Sequence, residues 1–145
     1  MKLKVKYLFN DVKEITSRQG DSGYDLRAYL HAPAVIEPRG RISIPTGIAV
    51  ELTDFYGLDV ELQVRPRSGH TQRGIVAQFG TIDSSYRGEI WITIFNHTDH
   101  PVTIEPDERI AQLIISPIFK PEVEAAKELT QTKRGTNGFG STGKD

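Results

Sequence analysis

The chain has 145 residues, which is enough for one domain with its own hydrophobic core and leaves little room for a second. It contains no cysteine, which excludes disulfides, a cysteine nucleophile and any zinc site built with cysteine. The formal net charge of −1 comes from interspersed acidic and basic residues and argues against general electrostatic binding of nucleic acid. A local cluster of cations would still suit a small phosphorylated ligand.

The first predicted element is a strand at the N-terminus, where Leu3, Val5 and Tyr7 alternate with lysines. Alternation of this kind is typical of a half-buried β-strand and differs from the continuous apolar run of a signal peptide. The longest apolar stretch, from Leu113 to Phe119, is too short to span a bilayer. We therefore expect a cytoplasmic protein that does not contact membranes.

Period-two alternation continues along the rest of the chain. It is present in residues 60–64, 90–95 and 102–104, while the apolar residues 110–115 are expected to form a strand buried on both faces. Turns rich in glycine and proline separate these segments at short intervals. Many short strands with such turns predict a single all-β domain, either a sandwich or a barrel.

Helical patterns are almost absent. Residues 68–73 are predicted to form one short helix, and residues 122–129 have helix-forming composition over only about two turns. From residue 130 the chain is rich in glycine, threonine and serine, and Phe139 is nearly its only apolar residue. We predict a β domain in residues 1–129 and a flexible arm in residues 130–145, which is either a disordered end or a segment that closes over a ligand.

Two polar segments are candidates for chemistry. Residues 66–69, with the sequence P-R-S-G, combine a guanidinium, a hydroxyl and a free backbone, which together suit phosphate oxygens. Residues 80–89 have a polar centre between strand-like flanks and are predicted to form a hairpin carrying Asp83 and Tyr86. A P-R-S-G sequence alone is more often an ordinary turn. In residues 80–89 the ordinary alternative is that Asp83 forms a local hydrogen bond to the turn and Tyr86 packs on the core.

Five segments in order resemble the motifs of the trimeric dUTP pyrophosphatases (dUTPases). Residues 21–28 resemble the first motif, A-G-x-D-L, and residues 66–69 the second, P-R-S-G. Residues 80–89 are similar to G-x-I-D-x-x-Y-x-G, residues 109–113 to R-I-A-Q-L, and residues 134–143 to R-G-x-G-G-F-G-S-T-G. Together these segments span nearly the whole chain, which is therefore identified as a member of this family.

The sequence departs from the family pattern at a few positions. Ser22 occupies an alanine position, and Ala77 stands where some members have an asparagine near the substrate. Asp107 and Glu108 replace the usual Gly-Asp, which we expect to alter only a turn. Asn137 replaces a glycine of the fifth motif, and asparagine tolerates the left-handed region better than most residues. None of these changes removes a charged or catalytic group.

The resemblance implies a jelly-roll-like β-barrel or sandwich (a β-clip) and the hydrolysis of dUTP to dUMP and pyrophosphate. Such an activity would limit uracil incorporation into DNA and supply dUMP for dTMP synthesis. Asp83 would be the general base for the attacking water, and Asp25 would meet Mg²⁺ through water. Arg67, Ser68, Gly69 and Gln112 would bind phosphates and orient the leaving pyrophosphate, with Arg67 and Gln112 counted as catalytic beside Asp83. From the arm, Arg134, Ser141 and Thr142 would hold the terminal phosphate, and Gly140 would be a further substrate-binding residue.

The resemblance also implies how uracil is selected. Main-chain groups of Thr81 and Ile82 would read the base, Tyr86 would stack on deoxyribose, and Phe139 would stack on uracil when the arm closes. The family assembles as a homotrimer whose active sites are shared between subunits, and this implies the same for the present chain. Its expected ligands are dUTP and dUMP, with no nucleic-acid or membrane partner.

Two alternatives remain open at this point. A dCTP deaminase of the same fold resembles the chain in residues 80–89, but that group usually has tryptophan in place of Tyr86 and lacks the glycine-rich arm. A trimeric module that binds nucleotide or protein without catalysis is the other alternative, and the retained Asp83, Arg67 and Gln112 argue against it.

Overall fold

The computed structural model describes residues 1–54, 56–136 and 138. Within these ranges the chain forms eleven strands and one short helix. The all-β character and the short helix agree with the sequence prediction. In chain order the elements are β1 (Lys2–Tyr7), β2 (Tyr24–Arg27), β3 (Ala34–Ile36), β4 (Arg41–Pro45), β5 (Ile48–Thr53), β6 (Asp59–Arg65), α1 (Ser68–Gln72), β7 (Ile75–Ala77), β8 (Gly80–Asp83), β9 (Trp91–Asn96), β10 (Val102–Ile104) and β11 (Arg109–Ile118).

The strands pair antiparallel in four sheets. The largest has the order β2-β11-β6-β8, and a second has the order β4-β9-β7. Two further pairs, β1 with β5 and β10 with β3, complete the framework. The long strand β11 pairs with β2 on one side and with β6 on the other, so it joins the first-motif segment to β6.

The core lies between the inner faces of these sheets. Because side chains alternate along a strand, strands such as β9 contribute every second residue to the interior. Ile and Leu side chains that are almost fully buried dominate this cluster, and each contributes roughly 1.5–3 kcal/mol through removal from water. They include Leu26, Ile36, Ile44, Ile48, Leu62, Ile75, Ile92, Ile94, Ile104, Ile110 and Leu113.

One expectation for the C-terminal third needs correction. In β11 only Ile110, Ala111 and Leu113 are buried, whereas Gln112 and Ile114 are partly exposed. Beyond the irregularity between Arg109 and Ala111, the strand therefore has one core face and one outward face. Residues 122–129 form no helix. A segment of about two turns is marginal in water without a surface to pack on, and here Val123 is 94% exposed.

Among the described residues, the only helix is the five-residue α1, which is far too short to cross a bilayer.

Candidate active site

The predicted site residues lie in two separate pockets of the subunit. The first, the phosphate-side pocket, lies between β2, the start of α1 and β11. Its walls combine three arginines with two aspartates and several uncharged donors. They are Arg18, Asp21, Asp25, Arg67, Ser68, Gly69, Arg109 and Gln112. The structure thus brings together five of the predicted site residues, from the first, second and fourth motifs.

Asp25 is the centre of a charged network in this pocket. Arg109 Nη1 donates to Asp25 Oδ2 at 3.2 Å, and Arg67 Nε lies 3.6 Å from Asp25 Oδ1. Arg67 Nη1 also donates to the Arg109 carbonyl at 2.9 Å. Two guanidinium groups are therefore held beside one carboxylate, in positions where they can also meet phosphate oxygens.

Gly23 allows β2 to approach β11 closely. A Cβ at Gly23 would lie 2.7 Å from the Leu113 carbonyl oxygen and would overlap the Ile114 side chain. This close contact fixes the register that sets Asp25 directly opposite Gln112. The glycine of the first motif therefore has a packing role that positions the carboxylate.

At Gly69, unlike at Gly23, packing within the subunit does not require a glycine. A Cβ at this position would meet no atom of the described part of the chain within 4 Å. Ser68 and Gly69 are exposed at the start of α1, where the first N–H groups of a helix have no intrahelical acceptor. The missing side chain leaves room for an anion to reach this backbone.

The second pocket, which we call the base-side pocket, is formed around β8. It is lined by Val64, Gly80, Thr81, Ile82, Asp83, Tyr86, Glu89, Ile90 and Trp91. Within the described sheet β8 is an edge strand, since it pairs only with β6. Its outer edge therefore has N–H and C=O groups that pair with no described strand, a pattern that can read the edge of a planar base.

Tyr86 is fixed across the loop that follows β8. Its hydroxyl donates to the Glu89 carbonyl at 3.0 Å, and its N–H donates to the Asp83 carbonyl at 2.9 Å. The ring lies directly on Gly88, where a Cβ would come 2.5 Å from Tyr86 Cζ. Gly88 is therefore the residue that lets the phenol ring lie against the loop.

The prediction of a hairpin in residues 80–89 is wrong. The flanking strands β8 and β9 do not pair with each other, because β8 pairs with β6 and β9 pairs with β4 and β7. Each strand finds its partner in a different sheet, so the loop between them crosses from one sheet to another. The alternation of the flanks predicts strands but carries no information about their partners.

The two pockets are far apart within one subunit. Asp83 lies opposite Glu61 and Gln112 lies opposite Arg65, so four residues of β6 and two strand spacings separate them. At ~3.3 Å per residue and ~4.8 Å per strand, their Cα atoms are roughly 16 Å apart. This separation is too long for the side chains of Asp83 and Gln112 to contact the same atom within one subunit.

The arm is described only in part. Arg134 is exposed, and its Nη2 donates to the Gly138 carbonyl at 3.5 Å. It does not line either pocket. The predicted arm residues Phe139, Gly140, Ser141 and Thr142 lie outside the described residues.

Several residues that line these pockets have no role predicted from the sequence. Arg109 opens the fourth motif, and its basic side chain at the start of a strand was a usable signal. Arg18 belongs to an irregular segment with no pattern that points to the site, and Asp21 lies at the start of the first-motif segment, outside its A-G-x-D-L core. Trp91 appeared only as part of a strand alternation, yet it lines the base-side pocket and is 55% exposed.

Comparison with known proteins identifies the family. The dUTPase family model matches residues 14–143. The chain belongs to the dUTPase family. A deoxyuridine 5'-triphosphate nucleotidohydrolase from Hydrogenobaculum sp. is 46% identical, with 99% of each chain covered. One from Bdellovibrio bacteriovorus is 41% identical, covering 98% of this chain and 96% of the relative.

Solved dUTPase structures share the fold. The Staphylococcus bacteriophage 80alpha dUTPase with dUPNHPP superposes with a TM-score of 0.84 at 28% identity, over 98% of each chain. A mutant dUTPase from phage phi11 of S. aureus, described with the coordination of a structural Mg(II) ion, gives a TM-score of 0.78 at 23% identity and supports the fold alone. It covers 90% of this chain and 100% of its own. The expected jelly-roll-like β fold of the dUTPases is thereby confirmed.

Proposed function

We propose that this dUTPase-family protein hydrolyses dUTP to dUMP and pyrophosphate as a homotrimer that uses Mg²⁺. Family membership and the names of relatives at 41–46% identity support the reaction. The observation that carries the proposal is the division of the site residues between two pockets of complementary chemistry. One pocket offers cations and backbone donors for phosphates, and the other offers a strand edge and a tyrosine for a nucleoside.

Side chains from the two pockets project from one face of the largest sheet. Directly opposed residues of antiparallel strands project to the same side. The pairings place Asp25 and Gln112 on the outward face, and Glu61 and Asp83 on that same face. If copies of the chain pack around this face, the base-side pocket of one subunit can meet the phosphate-side pocket of the next. This arrangement favours an active site shared between subunits.

The segment that follows β11 also supports assembly. Phe119 is 95% exposed, Val123 94% and Leu129 87%. Burial of such side chains against another copy would remove apolar surface from water. In the proposed trimer this segment leads the arm to a neighbouring site, where Arg134, Ser141 and Thr142 bind phosphate beside Gly140 and Phe139 stacks on the base.

The phosphate-side pocket suits a triphosphate accompanied by magnesium. The described residues contain no cluster of three or more carboxylates or histidines that would cage a metal. Magnesium bound to nucleotides commonly uses one or two carboxylates together with substrate phosphates. Asp25 fits this role, because each of its oxygens has a second lone pair beyond its arginine contact and can accept a hydrogen from a metal-bound water. The bound ion would neutralise charge on the phosphates.

Asp83 is the proposed general base. It accepts a proton from the attacking water, whose oxygen forms a bond to the α-phosphorus while the bridging bond to the β-phosphate breaks. Pyrophosphate leaves, held by Arg67, Ser68, Gly69 and Gln112. Positioning and charge stabilisation of this kind account for most of the catalysis in phosphate transfer.

Base selection is assigned to the edge of β8. Fixed N–H and C=O groups around Thr81 and Ile82 would pair with uracil, and the reversed pattern of cytosine would leave buried groups unpaired. Tyr86, held by its bond to the Glu89 carbonyl, would stack on deoxyribose and exclude a 2′-hydroxyl. The physiological consequence would be less uracil in DNA and a supply of dUMP, in the cytoplasm.

Pyrophosphate release from dUTP, dCTP, dTTP and UTP, measured with Mg²⁺ and with EDTA, tests the proposal. We expect release from dUTP alone, and its loss on chelation. Ammonia release from dCTP would instead indicate a deaminase. Tight binding of dUTP without pyrophosphate release would indicate a binding module.

A further inference from the structure

His70 is a buried histidine that the proposed mechanism does not use. It lies in α1, directly after the phosphate-side residues 67–69, and its side chain is 6% exposed. Its Nε2 lies 2.9 Å from Glu108 Oε1, and Glu108 directly precedes Arg109 of β11. The pair therefore joins the two segments that supply most of the phosphate-side pocket, although neither residue lines it.

Glu108 is itself fixed by its surroundings. Its second carboxylate oxygen accepts the Glu105 N–H at 3.0 Å, and its own N–H donates to the Glu105 carbonyl at 3.1 Å. Its carbonyl accepts the Ala28 N–H at 2.8 Å, just beyond β2. The carboxylate is thus a rigid acceptor rather than a mobile surface group, and the replacement of the usual Gly-Asp at residues 107–108 changes more than a turn.

We propose that His70 and Glu108 form a buried clip that positions the backbone and guanidinium of residues 67–69 for the triphosphate of the substrate. Both are positioning residues. An aspartate at position 108 would be one methylene shorter and would not reach the ring from the same backbone position. This inference rests on the proposed function and adds His70 and Glu108 to the residues that determine triphosphate binding.

The other contacts between these segments use groups of the pocket itself. Arg67 Nη1 donates to the Arg109 carbonyl and Gln112 Nε2 donates to the Pro66 carbonyl at 3.2 Å. A bound triphosphate would compete for these donors. The clip holds α1 to β11 through atoms that the ligand does not need, so it persists while the pocket is occupied.

The test compares ligands that do and do not require the phosphate-side pocket. The variants are His70→Leu and Glu108→Asp, which remove the contact, and His70→Gln, which keeps an N–H donor at similar reach. Binding of the non-hydrolysable dUpNHpp and of dUMP is followed by the fluorescence of Trp91, the chain's single tryptophan, which lies in the base-side pocket. Asn96→Ala serves as a control, since it removes a buried amide that donates to the Ile36 and His100 carbonyls away from both pockets.

We expect His70→Leu and Glu108→Asp to weaken dUpNHpp binding about tenfold, because small displacements of positioning groups are costly. The dUMP affinity should stay within about twofold, and His70→Gln should restore most of the dUpNHpp affinity. The double variant should be no worse than either single one, because both remove the same contact. The control should lower the melting temperature without changing either affinity.

Equal effects on both ligands, or none on dUpNHpp, would overturn the clip. If His70→Leu fails to fold, Glu108→Asp decides the same question with a milder change. A wild-type protein that binds neither ligand would instead defeat the proposed function, so the two failures are distinguishable.

Discussion

Asp83 and Gln112 project from the same outward face of one β-sheet, yet strand β6 lies between the strands that carry them. The register of β6 separates their Cα atoms by roughly 16 Å. Under the proposed roles, a water activated at Asp83 would therefore be far from a phosphate held at Gln112 of the same subunit. If Asp83 and Gln112 act on one nucleotide, as proposed, they come from different copies of the chain.

Replacement of Asp83 by asparagine should separate binding from turnover. The amide keeps the size of the side chain but does not accept the proton of the attacking water, so we expect turnover to fall at least about a hundredfold. Steady-state pyrophosphate release and the affinity for dUpNHpp measure the two effects. Full turnover in this variant would remove Asp83 from the role of general base.

Gly69→Ala should weaken triphosphate binding without disturbing the fold. Its new methyl group would meet no described atom of the subunit but would occupy the space in front of the α1 backbone. We expect KM for dUTP to rise about tenfold, or ~1.4 kcal/mol of binding, with an unchanged melting temperature. Binding of dUMP is the internal control. An unchanged KM would show that the ligand does not approach this backbone.

Gly88→Ala should act on the base-side pocket instead. The added Cβ would collide with the Tyr86 ring, which must move or strain the loop at a cost of ~1–3 kcal/mol. We expect weaker binding of both dUTP and dUMP, and poorer rejection of UTP. A crystal structure of the variant with Tyr86 undisplaced and selectivity intact would contradict this account.

Stability should depend on pH through His70. Burial lowers the pKa of His70 below its usual value of 6.5, and nearby Arg67 and Arg73 lower it further, while Glu108 opposes them. The unfolded chain therefore binds this proton more readily than the folded one. The contribution of neutral His70 is complete above pH 6.5 and is lost as the pH falls through the lower folded pKa.

Chemical denaturation of wild type and His70→Gln at several pH values measures this contribution. The wild type should lose more free energy of unfolding than the variant between neutral and mildly acidic pH. A parallel decline in both proteins would mean that His70 does not titrate differently in the folded state.

The sequence predicts the elements of the fold better than their partners. Alternation in residues 60–64 and 90–95 identifies strands because side-chain period is a local property. Pairing is not local, and so the hairpin in residues 80–89 was wrong: β8 and β9 join different sheets. Residues 122–129 show that local composition alone does not form a helix. Their composition favours a helix, but no packing surface stabilises one in this exposed segment.

In the candidate site too, the sequence identifies single residues better than it identifies which of them lie together. The motif resemblance named Arg67, Gln112 and Asp83, but spacing along the chain did not reveal that they occupy two pockets. The contact between His70 and Glu108 was also out of reach, because it depends on a buried side chain meeting a loop 38 residues away.

Subunit mixing tests the shared site most directly. Asp83→Asn and Arg67→Ala are each expected to be inactive alone, and co-refolding them in equal amounts produces mixed trimers. With random assembly, about one quarter of the sites would combine an intact Asp83 from one subunit with an intact Arg67 from its neighbour. Recovery of roughly that fraction of wild-type pyrophosphate release would support the account. A mixture as inactive as its separate components would contradict it.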